Sequence, residues 1–445
     1  MNKGILRRKL EEVVKANRHR FHVPGHKGRM SWPVPGTLDL TELPGLDNLH
    51  NPTGVLAASQ SRIAGIYQAT NTFFLVNGSS VGIMAAMVSL LAPGERVLVE
   101  RTCHKAVISG LVHSGAVPVF VEQEFCRHRL AWLPPTVQSV KKKLAAQRIK
   151  AAIFTNPCYF GLVPDIVSIS RVCRDYGVAL IVDEAHGAHL RFGRDAGMPP
   201  SGIEAAADII VQSPHKTLGA MTQAAWAHVL DPDVAEEFQR NLNLFHTTSP
   251  SYLLLASLEQ AALDAEARGA QWFQRLAVAN KLLRNRCLQL GVDLWDCQGT
   301  DWTKVVFKGR LGAERLLRQK GIYHEITLNG NILFVLTMSD ALCLRSLEFL
   351  LNQLPSFAKL PPVIRRLPVL PPLPIMEYTP AEVWKKKGER VNISNAQGRI
   401  ARQTIAPYPP GALVMVPGQK ISGELEEYLV WLYNRRVIPG WIEVL

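Results

Sequence analysis

The sequence has no apolar run approaching the roughly 18 to 20 residues that a membrane helix needs. Its longest candidate, 83–92, is too short and carries a serine. The opening stretch, MNKGILRRKLEEVVK, is charged throughout and lacks the apolar core of a signal peptide. These absences point to a soluble, cytoplasmic protein with no membrane partner. Cysteine is sparse: seven residues, at 103, 126, 158, 173, 287, 297 and 343, none of them in a C-x-x-C pair. An odd number without that spacing suggests neither a disulfide framework nor a zinc ribbon, and no metal is expected. No G-x-x-x-x-G-K-[ST] string occurs, so the usual cradle for a nucleoside triphosphate is missing. No repeat recurs at periods of 20 to 50 residues, which argues against solenoids and propellers.

What is present is a chain of 445 residues, 47% hydrophobic and 20% charged. That composition excludes disorder as a description of the whole chain, and the length allows two or three domains. The net charge is +13. Its lysines and arginines are spread, with small clusters at 141–143, 385–387 and the N-terminus. There is no long basic block and no basic motif interleaved with aromatics, so nucleic acid is not the expected partner. A non-catalytic nucleic-acid-binding protein remains a remote alternative.

The middle of the chain alternates between two patterns. Strand-like runs at 72–76, 96–100, 117–121, 151–155, 178–182 and 208–212 are separated by helix-like stretches that include 104–114, 135–147 and 164–176. The runs are apolar throughout rather than alternating, so both faces are expected to be buried. Strands alternating with helices predict a parallel-rich sheet covered by helices, with ligands at the carboxyl ends of the strands. Beyond it, 243–290 reads as mainly helical. The Pro- and Leu-rich stretch 357–375 reads as a connector, and 376–445 as a compact tail with a turn at YPPGA and a helix near 424–433.

Four strand ends carry polar residues. NGSSVG, 77–82, places Ser79 and Ser80 where a strand turns into a helix; glycine, hydroxyls and free N–H groups there suit a phosphate, or a simple helix cap. VDEAHGAH, 182–189, puts Asp183 after an apolar strand. Its D-E-A-H letters match the acidic motif of a helicase family, a reading that the missing phosphate-binding string removes. VQSPHKTLGAMTQ, 211–223, places Ser213, His215 and Lys216 after another strand. A lysine between apolar segments is desolvated, and an uncharged amine can condense with an aldehyde. RTCHKAV, 101–107, puts His104 where its flat ring could stack on an aromatic ligand. A phosphate cradle, a carboxylate, a stacking ring and a reactive lysine are together what pyridoxal 5'-phosphate needs, the carboxylate keeping the pyridine nitrogen protonated.

Longer strings carry a resemblance. FHVPGHKGR (21–29), TELPGLDNLHNPTGVL (41–56), FLVNGSSVGI (74–83), CHKAV (103–107), TNPCYFGLVPD (155–165), VDEAHGAH, SPHKTLGAMTQ (213–223), TSPSYLLLASLE (248–259) and GRIARQTIAPYPPGALVMVPGQKIS (398–422) resemble the prokaryotic ornithine/lysine/arginine decarboxylases. The resemblance runs from about residue 20 to the end. It implies an α/β fold of the aspartate-aminotransferase type (fold type I) with a smaller C-terminal α+β domain. The division implied is an N-terminal segment with the PGHK motif, 1–50, a cofactor-binding major domain, 51–290, and a small domain, 291–445, whose last part, 376–445, is the family's C-terminal region. The activity implied is release of CO2 from arginine, lysine or ornithine, in polyamine-related metabolism.

By the same resemblance, Lys216 carries the cofactor, Asp183 pairs with its ring nitrogen and His104 stacks on the ring. Ser79, Ser80, Ser213 and His215 hold the phosphate, and His186 lies beside the cofactor. Asp47, Glu42 and Glu377 are candidates for the substrate's distal cation, each equally readable as a cap or surface charge. The chain resembles the short branch lacking a receiver-like wing domain, and a homodimer or higher homo-oligomer is implied. Arg29 and NGSS depart from the family's commoner PGHKGG and NGTS. Aminotransferases and aldol-type lyases use the same fold and cofactor, and are the main alternatives.

Overall fold

The computed structural model describes residues 19–21, 26–27, 39–40, 42–43, 45–328, 330–363, 373–407 and 412–445. The YPPGA turn, most of the proline-rich stretch and much of FHVPGHKGR lie outside the described residues.

The centre is a seven-stranded sheet. Its strands are β1 (Asn71–Leu75), β2 (Arg96–Val99), β3 (Val117–Phe120), β4 (Ala151–Thr155), β5 (Ala179–Glu184), β6 (Ile209–Gln212) and β7 (Ala225–Val229), in the spatial order β1-β7-β6-β5-β4-β2-β3. All pairs are parallel except those of β7, which runs antiparallel to both β1 and β6. The sequence reading anticipated the first six strands and missed β7, whose Ala-Trp-Ala-His-Val follows β6 without a helix of ordinary length between them.

Both faces are buried, as the unbroken apolar runs require. Leu98, Phe154, Val182 and Ile210 pack into one core, and Val97, Ile153, Ile181 and Val211 into the other. The covering helices include α1 (Val55–Tyr67), α2 (Ser79–Leu90), α3 (Lys105–Ser114), α4 (Val137–Ala146), α5 (Ile166–Asp175) and α6 (Pro232–Asn243). Helix α2 approaches the sheet at Gly82, where a Cβ would stand 2.7 Å from Leu75 Cδ1 and 3.0 Å from Val211 Cγ1.

A 38-residue helix, α7 (Tyr252–Gln289), leads out of this layer. It buries Leu258, Phe273, Leu276 and Leu283 in the first core. The segment 244–251 before it is not helical, so the stretch read as mainly helical is α7 preceded by a short connection from the end of α6. Beyond α7, β8 (Lys304–Lys308), β9 (Ile326–Leu328) and β10 (Asn331–Val335) form an antiparallel sheet in the order β8-β10-β9. Helix α8 (Arg345–Ala358) packs near it, and its last two residues occupy the start of the expected connector.

The N-terminal strand His19–Phe21 pairs in parallel with Ile322–His324. Nearby, Lys27 of the PGHK motif donates to Asp340 Oδ2 at 2.5 Å and to the Val335 carbonyl at 2.7 Å, fully enclosed. The tail pairs β11 (Glu389–Asn392) with β12 (Trp441–Val444) and packs α9 (Gly423–Asn434) over its own core of Ile393, Leu425, Leu429 and Ile442.

Candidate active site

The carboxyl ends of β5 and β6 lie side by side, Asp183 opposite Val211 and Glu184 opposite Gln212. Asp183 is buried, and its Oδ1 accepts from the Ala185 amide at 3.1 Å. One turn past β6, Lys216 Nζ reaches His186 Nε2 at 3.2 Å. The Asp183 charge acts on both Lys216 and His104, which draws these three residues into one electrostatic unit.

The pKa values follow from that enclosure. Burial lowers Lys216, the Asp183 carboxylate opposes the shift, and the Lys304 ammonium reinforces it. Burial, with Lys216 as the next cause, holds His186 well below the usual imidazole range. His215 is lowered to about 4, chiefly by burial, although its Nδ1 bonds to the Ala224 carbonyl at 2.7 Å. His104 is exposed along its surface, yet enough protein surrounds it for desolvation to lower it too. It caps α3, its Nδ1 accepting from the Ala106 amide at 3.2 Å, which places the proton of the neutral ring on Nε2.

Two of the expected phosphate residues, Ser79 and Ser80, open α2. Gly78 turns the chain with φ 80°, and no side chain caps the helix, so the first amides, near Ser79 and Ser80, are free of a side-chain acceptor. Ser213 is fully buried, and among the described residues its Oγ has no hydrogen-bond partner. An orphaned hydroxyl of that kind calls for a ligand or a water. Free helix amides, a buried unpaired hydroxyl, a desolvated lysine and a buried carboxylate fit the phosphate, aldehyde and pyridine of pyridoxal phosphate.

Several neighbours of the site were not singled out in the sequence. Tyr159 packs edge-on to His186, with ring centroids 5.0 Å apart, and its hydroxyl donates to Glu325 Oε1 at 2.5 Å. Glu325 comes from the far side of α7 and acts on both Lys216 and Lys304. Lys304 is enclosed, with Asp301 Oδ2 at 3.7 Å. Beneath the site, Glu184 accepts from Asn156 Nδ2 at 2.9 Å, the Gly202 amide at 2.7 Å and Gln212 Nε2 at 2.5 Å. Gln212 Oε1 then accepts from Trp226 Nε1 at 2.7 Å and His228 Nε2 at 3.2 Å, which ties β5, β6 and β7 together through polar groups.

The candidates for a distal cation fare differently. Asp47 is spent on the backbone: its carboxylate accepts from the amides of Thr53, Gly54 and Leu56 at 2.7–3.1 Å and so caps the start of α1. It is a structural group and not a free acceptor. Glu42 is exposed, and Glu377 lies 3.9 Å from Lys420 on the surface. None of the three is joined to the Lys216 cluster.

A doubly covered, parallel-rich sheet with these residues at its strand ends defines a pyridoxal-phosphate enzyme of fold type I. The fold of the constitutive lysine decarboxylase of Escherichia coli matches with a TM-score of 0.72 at 21% identity, over 99% of this chain and 81% of that one. Serine palmitoyltransferase of Sphingomonas wittichii matches with a TM-score of 0.56 at 15% identity, over 68% and 76%. The sequence narrows the class further. The family described as Orn/Lys/Arg decarboxylase, major domain, matches residues 6–298, and its C-terminal domain matches 370–442. This chain belongs to the Orn/Lys/Arg decarboxylase family. It is 30% identical to the arginine decarboxylase of Bacillus subtilis, over 92% of this chain and 89% of that protein. It is 27% identical to lysine decarboxylase LdcA of Pseudomonas aeruginosa, over 98% and 76%.

Proposed function

We propose that this protein removes the α-carboxylate of a basic L-amino acid (arginine, lysine or ornithine) as CO2 and releases the matching amine, with pyridoxal phosphate as its cofactor. The observation that carries the reading is the desolvated Lys216 amine in contact with His186 and under the charge of the buried Asp183. Family membership supplies the reaction, and relatives named as arginine and lysine decarboxylases supply the substrate class.

Bound pyridoxal phosphate supplies an electron sink for the pair left behind when the carboxylate departs. Lys216 would tether the cofactor through its aldehyde carbon, and Asp183 would hold the proton on the ring nitrogen. His104 would cover the ring face. Ser213 Oγ, His215, Ser79, Ser80 and the amides that open α2 would hold the phosphate. After CO2 leaves, Lys216 Nζ, kept in place by His186 Nε2, would return a proton to Cα.

A cytoplasmic location, a homodimer or larger homo-oligomer, a place in polyamine metabolism and the division at residues 50 and 290 belong to the same proposal. The test is CO2 release by cofactor-loaded protein from L-arginine, L-lysine and L-ornithine in parallel, with the amine measured alongside. One substrate should yield CO2 and amine in equal amounts. A reaction that needs a keto acid and releases no CO2 would overturn the proposal.

A further inference from the structure

A cavity of about 830 Å³ has Tyr159 in its wall, the residue that packs edge-on to His186. It is bounded by the ends of β2 and β4, by the hairpin of Phe125–Cys126 with Ala131–Trp132, and by α9 of the tail. Phe125, Trp132, Tyr159, Phe160, Tyr428 and Trp431 are among its walls. Glu100, Glu314 and Arg435 are the charged side chains on its lining.

Two of the aromatic walls already carry a cation. The Arg435 guanidinium lies 4.5 Å from the Trp431 ring centroid, and that of Arg101 lies 4.8 Å from Trp132. Such faces attract positive charge through the ring quadrupole. Of the two groups of opposite sign, Glu314 is exposed, whereas Glu100 is only 2% exposed at the end of β2. Its carboxylate accepts from the Thr155 amide at 2.6 Å and from Thr102 Oγ1 at 2.9 Å. Thr155 in turn stands opposite Asp183 in the sheet.

Burial is the chief cause acting on Glu100, and the Asp183 charge adds to it. Burial therefore pushes Glu100 up to about 7. A buried carboxylate next to apolar aromatic walls is costly to ionise, and a positively charged ligand lowers that cost.

We propose that this cavity binds a linear aliphatic amine, its ammonium paired with Glu100 and its methylene chain lying along Trp132 and Tyr159. Two molecules present that chemistry: the basic side chain of the substrate and the free amine product. The choice of those two rests on the proposed decarboxylation; the fit of an ammonium to the cavity does not.

The test uses holoenzyme whose link between Lys216 and the cofactor has been reduced with borohydride, so that no turnover is needed. Calorimetric titration with 1,5-diaminopentane and 1,4-diaminobutane should show saturable binding, with none for 1,5-pentanediol. Glu100→Gln keeps the acceptor for Thr155 and removes the charge; Trp132→Ala removes one wall from the hairpin. Each should weaken diamine binding at least tenfold. If the substrate's side chain is the occupant, the unreduced variants show a raised KM with kcat within about twofold. If the free amine is the occupant, KM holds and inhibition by added diamine is lost. Equal binding by the wild type and both variants, or no saturable binding by the wild type, would overturn the site. Absence of CO2 release would sink the proposed reaction and leave this binding result standing.

Discussion

Lys216 Nζ and His186 Nε2 share a hydrogen bond across 3.2 Å, and burial lowers the pKa of both partners. Both shifts run towards the uncharged form, the form in which a lysine is a nucleophile. Replacing Lys216 by alanine is expected to abolish turnover together with the visible absorbance of the bound cofactor. Normal CO2 release by that variant would refute the proposed mechanism.

His186→Ala leaves Lys216 without its partner. The lysine keeps its chemistry and loses its aim. The expected result is a fall in kcat of about 10²-fold, the lower end for a lost acid–base participant, with a smaller change in KM. Steady-state kinetics decide it: an unchanged kcat would mean that the contact only fills space.

Asp183→Ala removes the carboxylate opposite the ring nitrogen. Activity is expected to drop by about 10²- to 10³-fold, the scale for losing one preorganised electrostatic partner. The phosphate contacts remain, so part of the cofactor should stay bound through gel filtration. An activity within threefold of the wild type would remove Asp183 from its assigned role.

Ser213 offers a sharper separation of folding from binding. Its Oγ has no partner among the described residues, so Ser213→Ala should leave the melting temperature of the cofactor-free protein unchanged or slightly higher. Loss of a hydrogen bond to a charged phosphate costs about 1.5–3 kcal/mol, or roughly 10- to 100-fold in cofactor affinity. Equal cofactor affinities for variant and wild type would show that the hydroxyl does not reach the phosphate.

Glu184 governs a pH effect on stability. Burial raises it from 4.5 to about 8, against the pull of Gly202, Gln212 and Asn156. Between those two values the folded protein keeps a proton that the unfolded chain has released. Its stabilising contribution is complete below pH 4.5 and is lost as pH rises towards 8. The loss is bounded by about 1.4 kcal/mol per pH unit. Denaturant midpoints of the wild type should fall more steeply from pH 5 to 8 than those of Glu184→Gln, which cannot titrate there. Parallel profiles would count against the shift.

Six of the seven central strands were legible because apolar runs buried on both faces leave a plain mark in a sequence. β7 was not: its five residues include Trp226 and His228, whose polar atoms find their partners on the two neighbouring strands, Gln212 on one side and Thr72 on the other. The same limit hid Glu184, which looks like any acidic residue until Asn156, Gly202 and Gln212 converge on it. Asp183 and Lys216 stood out because each follows an apolar run at a strand end. Tyr159 and Glu325 are 166 residues apart, and nothing local announces their meeting. Asp47 misled for the opposite reason. A carboxylate that caps a helix beginning eight residues later reads the same in sequence as one waiting for a cation.

The enclosed pair of Lys27 and Asp340 also orders events on the ribosome. These residues are separated by 313 positions, which at roughly 5–20 residues per second is on the order of tens of seconds of synthesis. Throughout that interval the nascent chain holds the PGHK lysine without its counter-ion and without the Val335 carbonyl. The earlier-made segment therefore waits on one of the later-made strands, and a nascent chain arrested short of Val335 lacks both of these acceptors for Lys27.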